Sequence, residues 1–533
     1  MAKRRTQPRN NARPDRASAG HTGWLIMLFL AGDNSLEEEM VLTLQDILVE
    51  GVPAGDRFVA QLDPSAVGLA TQRYDFSRHE GPGTLEACRE KSFDGFEGST
   101  GNPETLVQFV EWAVGKYPDP RLKRLLIVSG HGSGTTEDFL LKDENAADAL
   151  SIPELAEALR TITRDGEKKI DLLGFDACFM SMGEVAYEIR KYVTAVVGSE
   201  GEEPAFGWPY GRLLRVLKED RATTHAPMDA RALASAIVES YVRHYSDWDR
   251  SAGRSVDLAA IDLSGLDRVV ERYAELVARL ADLDNDGHDK LLLAHWYAQT
   301  YKFEQFVDLR DLCEQIAKQF GGGHAVSRAC RAVVAALRPA VIRMGCSGFA
   351  YQHSNGLSIY FPWALASPDY RKLQFAVDTK WHVFLRKHLK HTQREPRHRP
   401  DASAARPKAR GELVEEVLTS LSGAAAPGHA RSSETSPSLA QGIRSKIESA
   451  VDAARETDIL SADVPREVAR RLLLAAPAGV NSASLSGNSK YSPRTRYSPR
   501  TRYSPRTRYP ADRQLAVKNL APIIGVTFEP SGS

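Results

Sequence analysis

Two short apolar runs constrain the fold of this chain most strongly, because each ends in glycine and small polar residues. Residues 125 to 128 are Leu-Leu-Ile-Val, and residues 170 to 173 are Ile-Asp-Leu-Leu. Short leucine-rich and β-branched runs of this kind are typical of buried parallel strands. Helical sequence follows each run, and strands that alternate with helices predict an α/β fold with a mostly parallel sheet flanked by helices.

A histidine and a cysteine follow these two runs. His131 ends the segment LLIVSGH, and Cys178 ends IDLLGFDAC, 178 − 131 = 47 residues later. In open α/β sheets, reactive groups collect at the carboxyl ends of the strands. A thiol attacks as its thiolate and needs a nearby base, which an imidazole on an adjacent strand end supplies. The pair therefore predicts the chemistry of a cysteine protease.

The neighbours of the two residues strengthen this interpretation. Taken singly, His131 is compatible with a structural histidine and Cys178 with a small buried side chain. Gly130 and Gly132 allow the backbone to turn tightly beside His131, and the Gly132 N–H could join the Cys178 N–H in an oxyanion hole. The residue after Cys178 is expected to start a helix whose positive end favours a thiolate.

Composition and charge limit the other classes of function. The chain has 533 residues, 42% of them hydrophobic, and a formal net charge of zero, which suggests two or three folded units plus tails. Basic residues crowd the first 16 positions, and we interpret them as a solvated arm rather than a nucleic-acid site. Five cysteines without a CxxC pair favour a reducing compartment over a disulfide framework or a zinc site. The apolar stretch Trp24–Ala31 is too short to span a membrane, so we expect a soluble, cytoplasmic protein.

Changes in pattern along the chain predict five segments. After residue 227 the periodicity becomes mostly helical, and after about residue 392 Pro, Ala, Ser, Arg and Gly dominate without an apolar face. The predicted segments are a basic arm (1–22), a catalytic core (23–226), a helical subdomain with a closing strand and helix (227–392), a linker (393–440) and a largely disordered C-terminal extension (441–533). Near the start of the core, Asp33, Asn34 or Ser35 is expected to cap the first helix.

Six blocks of sequence carry a resemblance to a known family. The blocks are FLAGDNSLEEE (29–39), STGNPETLVQFVEWAVGKYP (99–118), LLIVSGHGSG (125–134), LLGFDACFMSMGEVAYEI (172–189), GSEGEEPAFGWPY (198–210) and GLSIYFP (356–362). They resemble the clostripain-like peptidases, family C11 of clan CD, and keep the family's order over about residues 24–390.

The resemblance implies a caspase-like fold and a specific activity. Cys178 would be the nucleophile and His131 the general base, in a peptidase that cleaves after Arg, or in some members after Lys. Asp176 matches the family position that receives the basic P1 side chain, and a buried guanidinium needs such a carboxylate. Asp176 could instead hold a neighbouring loop in place. A second carboxylate is expected on the loop after the next strand, where Glu200, Glu202 and Glu203 all qualify.

Members of the family are often made as zymogens that cut themselves between the histidine and the cysteine. Lys142, followed by the acidic and alanine-rich DENAADA, is the first candidate for such a cut. An ordinary surface lysine is the alternative. Arg164, Lys168 and Lys169 compete with it as cleavage sites.

The segment DLDNDGHDK resembles an acidic calcium loop. Asp282, Asp284 and Asp286 fall at positions 1, 3 and 5 of such a loop, but Leu293 occupies position 12, where an EF-hand needs a bidentate glutamate. A turn between two helices is therefore expected. Clostripain itself depends on calcium and other members do not, so we predict no obligatory cofactor and leave calcium open.

The C-terminal extension contains YSPRTR three times, from residue 491 to residue 508. An Arg-specific protease would find these extended repeats good substrates, so we hypothesise that the tail is a substrate or pseudosubstrate of the same chain. The alternative is a spacer. For the whole chain, the competing function is a catalytically quiet scaffold that recruits partners through its tails.

Overall fold

The computed structural model describes residues 22–65, 70–78, 83–93, 98–135, 140–247, 251, 253–301, 305–363, 365–392 and 496–497. Apart from residues 251, 253 and 390–392, these residues belong to one compact unit. The predicted basic arm, the linker 393–440 and nearly all of the C-terminal extension lie outside the described residues.

Strands and helices alternate through the first half of the chain. The strands are β1 (Gly23–Gly32), β2 (Arg57–Pro64), β3 (Gln72–Asp75), β4 (Leu122–Ser129), β5 (Leu140–Asp143), β6 (Asp148–Leu150), β7 (Ile170–Asp176), β8 (Val193–Gly198), β9 (Val256–Asp262), β10 (Thr300–Tyr301), β11 (Phe306–Asp308), β12 (Val341–Ser347), β13 (Ser358–Tyr360) and β14 (Arg496–Tyr497). The helices are α1 (Glu37–Glu50), α2 (Leu85–Cys88), α3 (Pro103–Lys116), α4 (Ile152–Ile162), α5 (Gly183–Ile189), α6 (Tyr210–Thr224), α7 (Ala230–Tyr245), α8 (Leu266–Leu280), α9 (Asn285–Tyr297), α10 (Leu309–Phe320), α11 (Ala325–Ala340), α12 (Gln374–Thr379) and α13 (Trp381–Thr392).

A mostly parallel sheet forms the centre of the molecule. In the described part of the chain it has nine strands in the order β14-β12-β9-β8-β7-β4-β1-β2-β3. The five strands from β2 to β8 run parallel to one another. The outer strands β3, β9, β12 and β14 pair antiparallel with their neighbours. The expected α/β fold is therefore confirmed, with antiparallel additions at both edges.

Helices cover both faces of this sheet. All ten residues of β1 are buried, as expected for a central parallel strand rather than a half-exposed one. Leu25, Met27 and Phe29 face the layer that contains α3, α4, α5 and α8, whereas Trp24 and Ile26 face α1, α6 and α7. The two apolar layers fix the strand positions, and thereby the positions of the loops at the strand ends.

The region from residue 227 to residue 345 differs from the prediction. The sequence predicts a mostly helical region there, but β9 and β12 also lie within it. β9 pairs with β8 and β12 pairs with β9, so the two strands extend the central sheet beyond β8. The sequence pattern concealed them because both lie among helices, and the pairing that makes them strands is not visible locally.

One of two predicted turns differs from the prediction and the other agrees with it. No side chain caps α1, whose N-cap position is Leu36, so Asp33, Asn34 and Ser35 have other partners. In the acidic segment, the Asp284 carboxylate caps α9 by accepting from the Gly287 N–H at 2.9 Å, as in a turn between helices. Within the described ranges, no helix is long and apolar enough to cross a membrane.

Candidate active site

The register of β4 and β7 brings the predicted histidine and cysteine to one edge of the sheet, the edge formed by the carboxyl ends of the parallel strands. The two strands are parallel neighbours in which Ser129 pairs with Asp176. His131 lies two residues beyond Ser129, and Cys178 lies two residues beyond Asp176. Because both strands end at the same edge, the two loops meet there.

Close backbone packing joins the two loops. The Gly130 N–H donates to the Asp176 carbonyl at 3.2 Å. A Cβ on Gly132 would lie 2.3 Å from the Cys178 carbonyl oxygen and 3.2 Å from the Cys178 nitrogen, so any larger residue would push the loops apart. Gly132 is thus needed at this position for steric reasons, and its backbone lies beside the amide of Cys178.

The Cys178 thiol is partly buried and contacts the loop after β8. Its Sγ accepts a hydrogen bond from the Glu203 N–H at 3.2 Å. Burial raises the pKa of the thiol to about 12; the Glu203 amide opposes this shift, and the nearby carboxylates add to it. The free side chain is therefore a neutral thiol at neutral pH.

The chain turns sharply after Cys178 and does not enter a helix there. Phe179 has φ of 62°, a left-handed conformation that costs free energy for a side chain of this size. Its N–H donates to the Gly201 carbonyl at 3.0 Å, and its buried ring packs against Phe306. Helix α5 begins only at Gly183, so the prediction that a helix starts directly after Cys178 is wrong.

His131 lies between β1 and the segment that follows β5. Its Nε2 is 3.1 Å from the Ser35 hydroxyl. Burial lowers the pKa of the imidazole, the charge of Lys142 lowers it further, and the charge of Glu144 raises it. The imidazole is therefore poised as a neutral base.

Asp176 lies below the thiol and is buried. Its Oδ2 accepts hydrogen bonds from the Tyr210 hydroxyl at 2.8 Å and from the Ser129 hydroxyl at 3.1 Å. Its Oδ1 has no donor among the described residues. Burial raises the pKa of Asp176 to about 6, although both hydroxyl donors lower it. Gly207, with φ of 62°, passes directly over this carboxylate, where a Cβ would lie 2.7 Å from Oδ1.

The three candidate glutamates lie in different surroundings. Glu203 is buried beside Asp176: burial and then the charge of Asp176 raise its pKa well above the usual range. Neither of its carboxyl oxygens has a donor in the part of the chain that is described. The Glu202 side chain is exposed, and its N–H donates to the Tyr351 hydroxyl at 3.2 Å.

Glu200 belongs to another buried group. Its Oε2 accepts from the Gly356 N–H at 2.7 Å. Burial raises its pKa well above the usual range, and the charges of Asp308 and Asp257 contribute next. The structure therefore places Glu203, and not Glu200 or Glu202, with Asp176.

Lys142 lies on the same edge of the sheet as His131. Its carbonyl oxygen accepts from the Asn34 side chain at 2.8 Å, and its ammonium is half-exposed beside Glu144. The preceding residue, Leu141, has φ of 58°. Arg164, Lys168 and Lys169 precede Ile170, the first residue of β7, and so lie at the opposite edge of the sheet from Cys178.

The acidic segment does not fit a calcium ion. Asp284 is used as a helix cap, and Asp286 forms an ion pair with Lys290. Among the residues that the structure describes, no group of three or more acidic, histidine or cysteine side chains converges on a metal position.

Sequence reasoning did not assign Ser35, Gly207, Tyr210 or Tyr351 to this site. Gly207 and Tyr210 stand within the block GSEGEEPAFGWPY, so their block was recognised but their contacts with Asp176 were not. Tyr351 lies 351 − 178 = 173 residues after Cys178, and no local pattern marks it. These contacts arise from tertiary packing.

Comparisons with known proteins identify the family and the fold. The sequence model of the clostripain family matches residues 30–388. Clostripain of Hathewaya histolytica is 25% identical over 275 residues, a match that covers 42% of this chain and 49% of that relative. The chain thus spans about half the length of this curated relative.

Two solved structures share the fold. An inactive zymogen of a C11 protease from Parabacteroides distasonis has a TM-score of 0.51 at 20% identity, covering 68% of this chain and 98% of that one. A secreted C11 cysteine protease from Bacteroides thetaiotaomicron, in complex with an irreversible peptide inhibitor, has a TM-score of 0.51 at 17% identity, covering 68% and 99%.

Proposed function

Because the chain belongs to the clostripain family of cysteine peptidases, we propose that it is an endopeptidase that cleaves after arginine or lysine, with Cys178 as nucleophile and His131 as general base. The observation that carries this proposal is the register of β4 and β7, which puts residues 131 and 178 at one sheet edge. A cysteine and a neutral imidazole at one edge are the minimum set for acyl transfer through a thioester.

The reaction follows from the positions of these groups. Cys178 Sγ attacks the scissile carbonyl carbon while His131 takes the thiol proton. The N–H groups of Cys178 and Gly132 stabilise the oxyanion. Collapse breaks the C–N bond, His131 returns the proton to the leaving amine, and a thioester remains. Water, deprotonated by His131, then attacks the thioester and releases the carboxylate product and the thiol.

The resting pair is neutral in this mechanism. Burial raises the pKa of the Cys178 thiol and lowers that of the His131 imidazole, so the proton stays on sulfur without substrate. Proton transfer then accompanies attack on the substrate. A neutral resting thiol is also oxidised less readily than a stable thiolate.

The carboxyl groups below the thiol supply the proposed specificity. Asp176 and Glu203 are neighbouring buried carboxyl groups, and burial raises the pKa of both. A P1 guanidinium or ammonium would donate hydrogen bonds to them and supply a compensating charge. Gly207 leaves room above Asp176 that any side chain at this position would fill.

Self-processing at Lys142 is the proposed activation step. The half-exposed lysine lies on the same edge as His131 and belongs to a segment with left-handed backbone at Leu141. Its competitors lie at the other edge of the sheet. The YSPRTR repeats are a second proposed substrate of the same chain; apart from Arg496 and Tyr497, they lie outside the described residues.

Fluorogenic peptides that differ only at P1 test the proposed function. Arg and Lys are compared with the uncharged residues glutamine and norleucine. Wild type and Cys178→Ala are each assayed before and after treatment with a lysine-specific endopeptidase. We expect Arg or Lys peptides to be cleaved at least about 100-fold faster than the neutral ones, because the buried carboxyl groups would otherwise stay unpaired. Wild-type inactivity on every peptide, even after treatment, would favour the scaffold function.

A further inference from the structure

The turn after β1 contacts the imidazole of His131 through Ser35. β4 lies between β1 and β7 in the sheet. His131 follows β4, Cys178 follows β7, and Ser35 follows β1 three residues beyond Gly32. Ser35 Oγ lies 3.1 Å from His131 Nε2. The nitrogen that remains for the thiol is therefore Nδ1.

Hydrogen bonds of the preceding residues hold this turn in place. The Asn34 side chain is buried and donates to the Ala31 and Lys142 carbonyls at 2.7 and 2.8 Å. Its Oδ1 accepts from the Leu36 N–H at 3.0 Å. Asp33 accepts from the Asn145 N–H through Oδ2 at 3.0 Å. Ser35 is exposed, but the backbone that carries it is fixed on both sides.

We propose that Ser35 is a positioning residue for the reaction of the proposed endopeptidase, fixing the tautomer of His131 by accepting a hydrogen bond from Nε2–H and leaving the Nδ1 lone pair to take the thiol proton. The inference rests on the proposed function for its kinetic consequence only. In a neutral imidazole one nitrogen donates and the other accepts, so an acceptor at Nε2 determines which nitrogen acts as base.

The same contact stabilises the imidazolium that forms during acyl transfer. Once Nδ1 has taken the proton, Nε2–H carries part of the positive charge, and its bond to the serine oxygen becomes charge-assisted. The other charged groups whose fields act on the ring are Lys142, which opposes the imidazolium, and Glu144, which favours it. Ser35 thus acts on His131 together with the segment that carries the proposed cleavage site.

Kinetics of Ser35→Ala and Ser35→Thr test this role. For an Arg peptide, we expect Ser35→Ala to lower kcat about tenfold, the size of one hydrogen bond to a charged group, with KM within about twofold. Its acid limb of kcat/KM should move to lower pH, because losing the acceptor lowers the pKa of the imidazolium. Ser35→Thr keeps a hydroxyl and should restore both. Ser235→Ala, which removes an exposed helical hydroxyl bonded to a backbone carbonyl, is the matched control.

A second measurement does not depend on activity. In ¹⁵N-histidine-labelled Cys178→Ala protein, the His131 resonances are identified by their loss in a Cys178→Ala, His131→Gln variant. We expect the Nε2–H tautomer with Ser35 present, and a lower imidazole pKa with Ser35→Ala. An Nδ1–H tautomer, or an unchanged acid limb and kcat in Ser35→Ala, would overturn the proposal. Peptidase inactivity with the expected tautomer would instead count against the proposed function.

Discussion

Three buried carboxyl groups near Cys178 differ because different donors surround them. Burial raises the pKa of Asp176 to about 6 against two hydroxyl donors, whereas burial and then the charge of Asp176 raise the pKa of Glu203 well above the usual range. Glu200 accepts from the Gly356 N–H and lies with Asp308 and Asp257. Glu203 and Glu200 stand three residues apart in the sequence, so residue type and spacing do not separate their roles.

Asp176→Asn and Glu200→Gln form a matched pair that tests the specificity pocket. We expect Asp176→Asn to lower kcat/KM for an Arg peptide about 100-fold or more, because a buried guanidinium loses its charged partner. Activity on a neutral P1 residue should change much less. Glu200→Gln removes an equally buried carboxyl but should keep the ratio of Arg to neutral activity. Equal effects of both substitutions on that ratio would contradict the assignment of the pocket.

At the scale of elements, the hairpin of β5 and β6 connects the proposed cleavage site to the turn that contacts His131. Asn34 holds the Lys142 carbonyl, and the Asp33 carbonyl accepts from the Glu144 N–H at 2.9 Å. Ser35 of the same turn contacts His131. A cut after Lys142 would therefore separate the attachment at residue 142 from those at residues 144 and 145, next to the proposed base.

Intact mass spectrometry tests the cleavage site. We expect purified wild type to contain fragments that end at Lys142, because this residue is half-exposed beside His131. Lys142→Gln and Cys178→Ala should remain uncut, whereas Lys168→Gln, at the opposite edge, should be processed like wild type. The same spectra report on the tail: identical C-terminal masses in wild type and Cys178→Ala would contradict the hypothesis that the repeats are cleaved by their own chain.

Elements with strong local patterns were the most predictable. The apolar runs 125–128 and 170–173 lie in β4 and β7, each of which is longer than its run. Helical sequence was expected after the first run, and α4 begins there with a capping box of Ser151 and Glu154. β9 and β12 were missed because their identity as strands depends on pairing with β8 and with each other.

At the scale of the whole molecule, many buried carboxyl groups make folding depend on pH. Burial raises the pKa of Glu184, Asp257, Asp308 and Asp63 to about 7 in each case. The unfolded chain ionises near the usual values, so between about pH 4 and about pH 7 the folded state binds more protons. The stability that these groups contribute is complete below the unfolded pKa and is lost as pH rises through the folded pKa.

Glu184→Gln tests this dependence at one residue. Glu184 is fully buried and accepts from the Tyr370 hydroxyl at 2.6 Å and the Tyr360 N–H at 2.9 Å. We expect the free energy of unfolding of wild type to fall from about pH 5 to about pH 7, with Glu184 contributing on the order of 1 to 3 kcal/mol. Urea unfolding should show a smaller fall in Glu184→Gln, because glutamine does not ionise. The exposed Glu111→Gln should keep the wild-type slope, and an equal slope in all three proteins would refute the assignment.

The sequence by itself determined the central parallel strands and the positions of His131 and Cys178 after two of them, because apolar runs that end in glycine report burial and strand ends locally. Only the tertiary structure decided which glutamate lies beside Asp176, which residue after β1 contacts His131, and where β9 and β12 join the sheet. Those contacts join residues that are far apart in sequence, or near neighbours whose side chains point in different directions. Packing on the two faces of the sheet sets the direction of each side chain.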